Sequence, residues 1–459
     1  MKNPKHDIGC RLMKLLVIIL AVAPFAACWH FYFADRIPMP YFSRGNWVMI
    51  AIYAVLYVNF ARIYDAFWIS VNSASDLVYS QCLTVLISDA IMFMIIWLVN
   101  HYFPAIVPCL IALAVQLVLV IIWSAVARKW YFSVFPPAET AVVYTRRSDV
   151  PGLFRTYKLE NKFNVKLTID PESCVKDLEQ LKDFKVVFIC DVHSHERNLI
   201  LKYCIANGIS VYLLPRIGDI ILSGARKVHM FHLPVIRVGR RSLSPEGAVA
   251  KRTLDILCSA LGLLVLSPVM LITAIAIKAT DGGPVFYKQE RLTKNGKRFK
   301  VWKFRSMRVD AEKDGVARLS SGDKDDRITP VGRFIRKVRI DELPQLFNIL
   351  GGSMSLVGPR PERPEIAAQY EEILPEFKLR LQAKAGLTGY AQVYGKYNTT
   401  PYDKLQMDLM YIANPSFLED LRIIMATIKI LFVPESTEGV AEGQITAQSE
   451  EKEPVGVGK

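Results

Sequence analysis

Four long apolar stretches occupy the first third of the chain, at about 13–33, 47–65, 82–100 and 104–127. Each is long enough to cross a hydrocarbon core of roughly 30 Å as an α-helix. Backbone N–H and C=O groups find no water in that core, so such segments must satisfy them internally as helices. A signal peptide is the alternative for the first stretch, but three more follow and no cleavage site is evident. The sequence therefore predicts four transmembrane helices over residues 1–130.

Basic residues flank this region, and they predict its orientation. Before the first stretch and after the fourth lie Lys2, Lys5, Arg11, Lys14, Arg128, Lys129, Arg146 and Arg147. The tight link at 100–103 contains no lysine or arginine. The positive-inside bias then places both ends of the bundle in the cytoplasm. The net charge of +14 suits anionic lipid and phosphorylated substrates. We predict no nucleic-acid binding, because the chain carries none of its sequence signatures.

Residues 138–245 have the pattern of a soluble α/β domain. Apolar runs at 185–190 and 209–214 predict buried strands, and a helical pattern at 195–207 separates them. This strand–helix–strand order is typical of a parallel sheet. No glycine-rich phosphate loop follows the earlier strand at 142–147, so the fold carries no sign of a bound nucleotide. A structural or dimerising role is the better prediction.

A fifth apolar segment at 253–277 is open to two interpretations. It is long enough to span a membrane, yet Ser267-Pro268 lies near its middle. Proline removes a helix hydrogen bond and favours a break or bend there. Basic residues also flank both ends, which disfavours a true crossing. We therefore predict a re-entrant helix that enters and leaves one leaflet, with Lys251 and Arg252 at headgroup level beside lipid phosphate.

Asp341 and Glu342 stand side by side, just before Pro344 and an apolar run. Proline suits the first turn of a helix, whose N-terminus offers N–H groups and partial positive charge to a phosphate. One carboxylate there could attack phosphorus while its neighbour holds a divalent cation. The alternative is a pair of ordinary first-turn acids. The surroundings favour chemistry, because arginines lie upstream and a Pro-Arg-Pro turn at 359–361 lies downstream.

These segments resemble the bacterial sugar transferase family, the monotopic polyprenyl-phosphate phosphoglycosyl transferases, from about Lys251 to about Phe432. The ordered matches are Lys251-Arg252-Thr253-Leu254-Asp255, Gly283-Pro284-Val285-Phe286, Gln289-Glu290-Arg291, Lys303-Phe304-Arg305-Ser306-Met307, Asp326-Arg327-Ile328-Thr329, the Asp341-Glu342-Leu343-Pro344-Gln345 core, Gly358-Pro359-Arg360-Pro361 and Gly386-Leu387-Thr388-Gly389. Arg339 departs from the family pattern, which more often has a small residue two positions before the aspartate.

The resemblance implies a reaction and a set of roles. Asp341 would attack the sugar-bearing phosphorus of a UDP-sugar and release UMP, and undecaprenyl phosphate would then displace Asp341. Glu342 would hold Mg²⁺. The side chains expected to bind substrate phosphate are Arg336, Arg360, Lys303, Arg305 and Arg327, the last three serving anionic lipid in the alternative. Lys251 and Arg252 would be interfacial anchors or contacts to the acceptor, beside the bend at Ser267 and Pro268.

The same resemblance implies the architecture and the location. We expect a multi-domain membrane protein with a four-helix transmembrane bundle, a Rossmann-like α/β middle domain and a helix-rich α/β catalytic domain at 250–433, anchored by the re-entrant helix. A disordered tail is predicted at 434–459 from its composition. The chain would lie in the bacterial inner membrane as a multi-pass protein with its catalytic domain in the cytoplasm. Large family members make a homodimer a further prediction.

Three other functions remain as alternatives. An inactive scaffold of a polysaccharide assembly complex would keep the fold, although retention of Asp341, Glu342 and Arg360 counts against it. A processive synthase would release UDP, but its pair of separated D-x-D and Q-x-x-R-W signatures is not present, because the chain contains no Q-x-x-R-W. A transporter is disfavoured because no internal repeat is evident. The histidines form no H-x-x-x-H pair, so no zinc site is predicted.

Overall fold

The computed structural model describes residues 4–38, 40–41, 43–145, 159–230, 232–240, 243–309, 327–395 and 400–431. The predicted tail at 434–459 lies outside these residues. The chain divides into two compact units, Met1–Pro215 and Arg216–Lys459.

The first unit begins with four long helices, which confirm the predicted helical stretches and extend most of them. They are α1 (Pro4–Cys28), α2 (Ser43–Ile63), α3 (Ala74–Asn100) and α4 (Ile106–Val134). Each is long and apolar enough to cross a membrane. Their shared core contains the fully buried rings of Trp29, Tyr53 and Tyr57. That they cross a membrane stays a prediction.

Polar contacts inside this apolar bundle join all four of its helices. The Gln116 amide on α4 donates to the Ala21 carbonyl on α1 (2.7 Å) and to the Tyr53 hydroxyl on α2 (2.8 Å). The Tyr57 hydroxyl donates to Gln81 on α3. Because an unpaired polar group in an apolar interior is costly, such pairs fix how the helices pack.

A four-stranded parallel sheet follows the bundle. Its strands are β1 (Ala138–Tyr144), β2 (Phe163–Ile169), β3 (Val186–Cys190) and β4 (Ser210–Leu213), in the order β2-β1-β3-β4. Two helices belong to it, α5 (Pro171–Lys176) and α6 (Ser194–Ala206). The predicted β3–α6–β4 order is confirmed. The valine and isoleucine side chains that predicted β3 are buried. The Rossmann-like assignment beyond this topology stays a prediction.

The second unit starts earlier in the chain than the predicted boundary at 245–250. Helix α7 (Ile217–Ser223) buries Ile220 in the same core as Leu405 and Leu409. Beyond it, Gly224 lies so close to Ala413 that a β-carbon would crowd the Ala413 backbone. Residues 216–224 therefore pack with the C-terminal unit, because Ile220 finds its apolar partners there. An antiparallel hairpin, β5 (Arg226–Met230) and β6 (Leu233–Arg237), comes next.

The rest of the second unit is rich in short helices around two small sheets. The helices are α8 (Pro245–Asp281), α9 (Pro330–Lys337), α10 (Gln345–Leu350), α11 (Pro364–Ile373), α12 (Tyr390–Tyr394), α13 (Pro401–Ala413) and α14 (Phe417–Leu431). Strands β7 (Phe286–Leu292) and β8 (Arg298–Phe304) form an antiparallel hairpin, and β9 (Ser355–Val357) pairs in parallel with β10 (Gly386–Thr388). The core includes Ile349, Met354, Phe377 and Leu405.

Helix α8 runs through Ser267-Pro268 as one continuous helix within the described segment 243–309. The break considered at this point is therefore not seen. Pro268 has no N–H to bond the Leu264 carbonyl four residues before it. The Ser267 hydroxyl donates to that carbonyl instead, at 2.8 Å. This side-chain bond satisfies the orphaned acceptor and lets the helix continue.

One side of α8 packs against its own unit along most of its length. The buried side carries Asp255, Ser259, Met270 and Ile277. The opposite side presents an apolar stripe of leucine, valine and isoleucine side chains, more than half exposed: Leu257, Leu261, Leu264, Val265, Leu271, Ile272 and Ile275. Both ends of the apolar segment 253–277 thus lie against the same unit.

Candidate active site

Asp341 and Glu342 lie on a short 3₁₀ turn, Ile340–Glu342, between α9 and α10. The sequence placed them at the start of a helix, but α10 begins only at Gln345, after Pro344. Upstream, the Thr329 hydroxyl caps α9 by accepting from the Gly332 N–H at 2.9 Å. Such caps hold helix ends where they are needed. The dyad is therefore held by a helix on each side.

Arg339, directly before this turn, has a left-handed backbone with φ of 56° and ψ of 22°. For a residue with a β-carbon this conformation costs about 1–2 kcal/mol. It reverses the chain between the end of α9 and the dyad. The residue that departs from the family pattern is thus also the residue that bears backbone strain at this site.

Two cations hold Glu342 by one of its oxygens. Lys303 Nζ on β8 and an Arg360 guanidinium nitrogen each lie 3.0 Å from Oε1. Burial by itself would raise the pKa of Glu342, but the charges of Lys303, Arg360 and Arg339 outweigh it and hold the pKa well below its usual range. Glu342 is therefore an anion at neutral pH.

Asp341 is in the opposite electrostatic situation. Burial raises the pKa of its carboxyl, and the neighbouring Glu342 charge raises it further, while Lys303, Arg336 and Arg360 lower it. Among the described residues no hydrogen bond or ion pair reaches the Asp341 carboxylate. A carboxylate that is poorly solvated and has no direct partner is better suited to nucleophilic attack than one already bonded.

The loop that carries Arg360 is held by backbone contacts with the Gly386-Leu387-Thr388-Gly389 segment. The Gly358 N–H donates to the Thr388 carbonyl, and the Gly386 N–H donates to the Pro359 carbonyl, both at 2.9 Å. A β-carbon at Gly358, Gly386 or Gly389 would overlap neighbouring backbone atoms. This segment therefore supports the Pro-Arg-Pro loop through close backbone approach.

A buried ion pair behind this loop was not foreseen from the sequence. Arg380 donates to the Arg360 carbonyl at 2.9 Å, and its Nε donates to Asp408 Oδ2 at 2.9 Å. Burial raises the pKa of Asp408 to about 6, although the Arg380 charge and hydrogen bond lower it. Arg380 and Asp408 are 28 residues apart in the sequence. Neither helix nor strand periodicity relates two positions at that distance.

Lys251 and Arg252, which were predicted to contact lipid or the acceptor, are bound inside the unit instead. Lys251 Nζ donates to the Val357 carbonyl (3.1 Å), the Tyr411 hydroxyl (3.0 Å) and Asp420 (2.7 Å). Arg252 donates to the carbonyls of Ile349 and Leu350 at the end of α10, both at 2.7 Å. These side chains satisfy buried acceptors. The geometry thus favours a framework role over contact with an acceptor, and their placement at headgroup level stays a prediction.

Arg305 likewise pairs with Asp281 at the end of α8 through both of its terminal nitrogens. This bidentate pair favours a structural role over the predicted phosphate contact. Arg336 lies close enough to act on Asp341 through its charge. Arg327 opens the described segment after residue 326, and its carbonyl accepts from the Arg308 N–H at 2.9 Å. Phosphate binding by Arg336 and Arg327 stays a prediction.

Asp255 is a further residue whose role the sequence did not reveal. Its buried carboxylate accepts from the Ser355 hydroxyl (2.9 Å) and from the Leu356 N–H (2.9 Å). It therefore fastens α8 to β9, three residues before the loop of Arg360. An acidic residue at the start of an apolar helix was the available signal, since such a charge must find a partner.

The dyad fits a magnesium ion of the kind completed by a substrate. Across the described ranges no cluster of three or more acidic, histidine or cysteine side chains occurs. Mg²⁺ commonly needs only one or two carboxylates, with phosphate oxygens and waters filling the other positions. Both cations bind Oε1, so Oε2 of Glu342 is the atom that would hold it.

Residues 246–434 match the sequence model of the family described as bacterial sugar transferase. The exopolysaccharide production protein PSS of Rhizobium leguminosarum bv. phaseoli is 42% identical over 200 residues, which cover 42% of this chain and 97% of that protein. The chain therefore belongs to the bacterial sugar transferase family.

Longer relatives share the same half of the chain. The UDP-N-acetylgalactosamine-undecaprenyl-phosphate N-acetylgalactosaminephosphotransferase of Aeromonas hydrophila is 38% identical over 234 residues, 50% of this chain and 54% of that protein. The UDP-glucose:undecaprenyl-phosphate glucose-1-phosphate transferase of Klebsiella pneumoniae is 38% identical over 232 residues, 50% of each chain. The matched region thus spans about half the length of these two relatives.

Proposed function

We propose that this protein is a phosphoglycosyl transferase that moves a sugar-1-phosphate from a UDP-sugar to undecaprenyl phosphate and so begins a bacterial surface or secreted polysaccharide. The observation that carries the proposal is the contrast within the dyad. Glu342 is bound by two cations, whereas Asp341 is half-buried, has no direct partner among the described residues and is flanked by three positive charges. The family relationship supports the same reaction class.

The chemistry follows from these positions. A carboxylate oxygen of Asp341 attacks the phosphorus that bears the sugar, and the pyrophosphate P–O bond breaks as UMP leaves with the bridging oxygen. A phosphate oxygen of the acceptor then attacks the same phosphorus, and the Asp341 carboxylate leaves. This is covalent catalysis in two displacements. Arg360 and Lys303 stabilise the negative charge on the phosphoryl oxygens, because fixed cations in a partly dry site need no reorganisation.

A magnesium ion held by Glu342 would neutralise pyrophosphate charge and make the phosphorus a better electrophile. Arg336 is positioned to take part in phosphate binding through its charge. Arg380 and the glycines of 386–389 act through Arg360, because they hold its loop.

The attachment of α8 at both ends counts against a membrane crossing, and a helix without the predicted break would lie along one leaflet rather than enter and leave it. Asp255 binds Ser355, and Asp281 at the other end binds Arg305. At 1.5 Å per residue the helix between these two acids is about 39 Å long, more than the roughly 30 Å core. A crossing helix would place the two anchors on opposite sides of the membrane, although both belong to one compact unit. A helix lying along one leaflet keeps the catalytic unit in the cytoplasm, where nucleotide sugars are made.

The test is the identity of the released nucleotide. Purified full-length protein in nanodiscs would receive Mg²⁺, undecaprenyl phosphate and a panel of UDP-sugars, with Asp341→Asn as the control. UMP from the wild type and none from the variant is the expected result, and it also identifies the sugar. UDP would mean ordinary glycosyl transfer. No nucleotide from any sugar would favour the scaffold alternative. Homodimer formation is a separate proposal, tested by the mass of the protein in nanodiscs.

A further inference from the structure

The hairpin β7–β8 has two chemically different faces. Residues paired across the two strands share a face, so Tyr287 lies beside Lys303, while Phe286 lies beside Phe304 and Lys288 beside Trp302. The first face carries Lys303 to the dyad. The second face is aromatic and has no part in the proposed chemistry.

The three aromatic rings of the second face, together with Phe347 of α10, form a row that begins at α8. Phe304 packs with Met270 and Ile277 of that helix. The Phe286 ring stacks on Phe304 with centroids 5.3 Å apart, and Trp302 follows at 5.8 Å. Phe347 of α10 completes the row, 6.2 Å from Trp302. We call Phe304, Phe286, Trp302 and Phe347 the ring row.

The outer part of the ring row is left uncovered by its own unit. Phe286 is 39% exposed and Phe347 is 45% exposed. Fully burying a phenylalanine is worth about 1.5–3 kcal/mol, so two half-exposed rings forgo a sizeable stabilisation. Exposed apolar groups that adjoin one another mark an interaction surface more often than isolated ones do.

A positive charge accompanies these rings. Lys288 Nζ lies 4.0 Å from the centroid of the Trp302 ring. Aromatic rings with an amine above them match the boundary between acyl chains and headgroups, where an amphipathic ring has one apolar and one polar side. The row begins at the buried side of α8, and the opposite side of that helix carries the exposed apolar stripe between 257 and 275.

We propose that the ring row, together with Lys288, is a second membrane-contact surface, distinct from α8. Its occupant is bilayer phospholipid, with acyl chains against Phe286 and Phe347 and lipid phosphate beside Lys288. The amine beside exposed rings favours lipid over a protein partner, because a phospholipid supplies both a phosphate for Lys288 and acyl chains for Phe286 and Phe347. The surface would hold the β8 strand, and with it Lys303, at a fixed height against the leaflet.

Photo-crosslinking of the full-length protein in nanodiscs tests this proposal. The photoreactive amino acid p-benzoylphenylalanine would replace Phe347 or Phe286, with replacement of Tyr402 as the matched control. Tyr402 is an aromatic residue of similar exposure, 36%, on α13. The nanodiscs contain phosphatidylethanolamine and phosphatidylglycerol, and lipid adducts are counted by mass spectrometry.

We expect lipid adducts at positions 347 and 286 in several-fold excess over position 402. Equal yields at all three positions would overturn the proposal. Chain-to-chain adducts at 347 or 286 would also overturn it and would identify the surface as an interface with a second copy.

A second measurement does not depend on the replaced residues folding normally. Brominated phosphatidylcholine quenches tryptophan only on contact within the bilayer. The wild type should lose more fluorescence on bromolipid substitution than Trp302→Phe does, the difference being the quenched Trp302. Identical losses in the two proteins would mean that Trp302 does not meet lipid, and the proposal would fail.

Discussion

Two groups of charged side chains in the C-terminal unit, both drawn from the same motif-rich sequence, are used in opposite ways. The framework group makes hydrogen bonds inside the unit and consists of Lys251, Arg252, Asp255 and Arg305. Lys251 alone donates to three acceptors, which is the largest number of hydrogen bonds an ammonium group can donate. The catalytic group is left open, with Glu342 held by one oxygen and Asp341 held by none of the described side chains. The number of internal bonds therefore separates residues that build the site from residues that meet substrate.

The largest expected effect is the loss of activity when a residue of the catalytic group is changed. Asp341→Asn keeps the shape of the side chain but removes the attacking charge. UMP formation should fall by at least about 10³-fold, as expected when a covalent nucleophile is lost. Initial rates of UMP release in nanodiscs would measure it. If Asp341→Asn kept more than a tenth of the wild-type rate of UMP release, Asp341 would not be the nucleophile, and the distinction between the framework and catalytic groups would fail.

The opposite test removes a framework charge. Lys251→Met leaves Asp420 buried without its cation, and breaking a buried ion pair costs about 3–5 kcal/mol. The melting temperature in detergent should fall sharply, whereas the KM for undecaprenyl phosphate of the folded protein at low temperature should stay unchanged. Lys300→Met, which removes an exposed lysine from β8, is the control. A normal melting temperature with a raised KM would instead restore the predicted acceptor contact.

A third prediction concerns the glycines that support the Arg360 loop. Gly389→Ala would push its β-carbon into the Gly358 carbonyl and displace the Pro-Arg-Pro turn. We expect kcat to fall about tenfold, equivalent to about 1.4 kcal/mol of lost transition-state stabilisation. Gly218→Ala is the matched control, because nothing lies within 4 Å of a β-carbon there. Equal rates for the two variants would show that loop position does not limit the reaction.

A smaller effect should be visible in the pH dependence. Burial raises the pKa of Asp341, so activity should be lost on acidification at a higher pH than an ordinary aspartate, near 3.9, would give. Lys303 lowers that pKa, so Lys303→Met should move the acid limb of kcat to still higher pH. The same Lys300→Met control should leave the limb in place. A limb that does not move would remove Lys303 from the surroundings of Asp341.

The smallest expected effects are on stability, and they should have opposite signs for Glu342 and Asp341. A lowered folded pKa means that ionised Glu342 stabilises the fold above its unfolded pKa, a contribution lost as pH falls through the folded pKa. A raised folded pKa means that ionised Asp341 costs stability at neutral pH. Glu342→Gln should therefore lower the melting temperature at pH 7, and Asp341→Asn should raise it slightly. Shifts of the same sign would contradict the electrostatic contrast.

Sequence patterns predicted the parts of this fold that depend on local periodicity. The long apolar helices and the β3–α6–β4 order follow from hydrophobic spacing alone. Motif residues likewise pointed to Asp341, Glu342, Lys303 and Arg360, which the structure brings together. The patterns failed where a residue's partner is distant in sequence. Nothing local indicates that Lys251 turns inward to Asp420, or that Ser267 replaces the bond that Pro268 removes.

The anchoring of α8 by Asp255 has a consequence for how the protein is made. The Ser355 hydroxyl that donates a hydrogen bond to this carboxylate lies 100 residues further along the chain. At about 5–20 residues per second, the ribosome needs on the order of 5–20 s to supply it. During that interval Asp255 of the nascent apolar helix lacks its Ser355 partner, and the helix has no folded unit to pack against. If α8 lies along one leaflet, as proposed, it reaches that position only late in translation, and any delay between these two codons prolongs the period in which it can insert the wrong way.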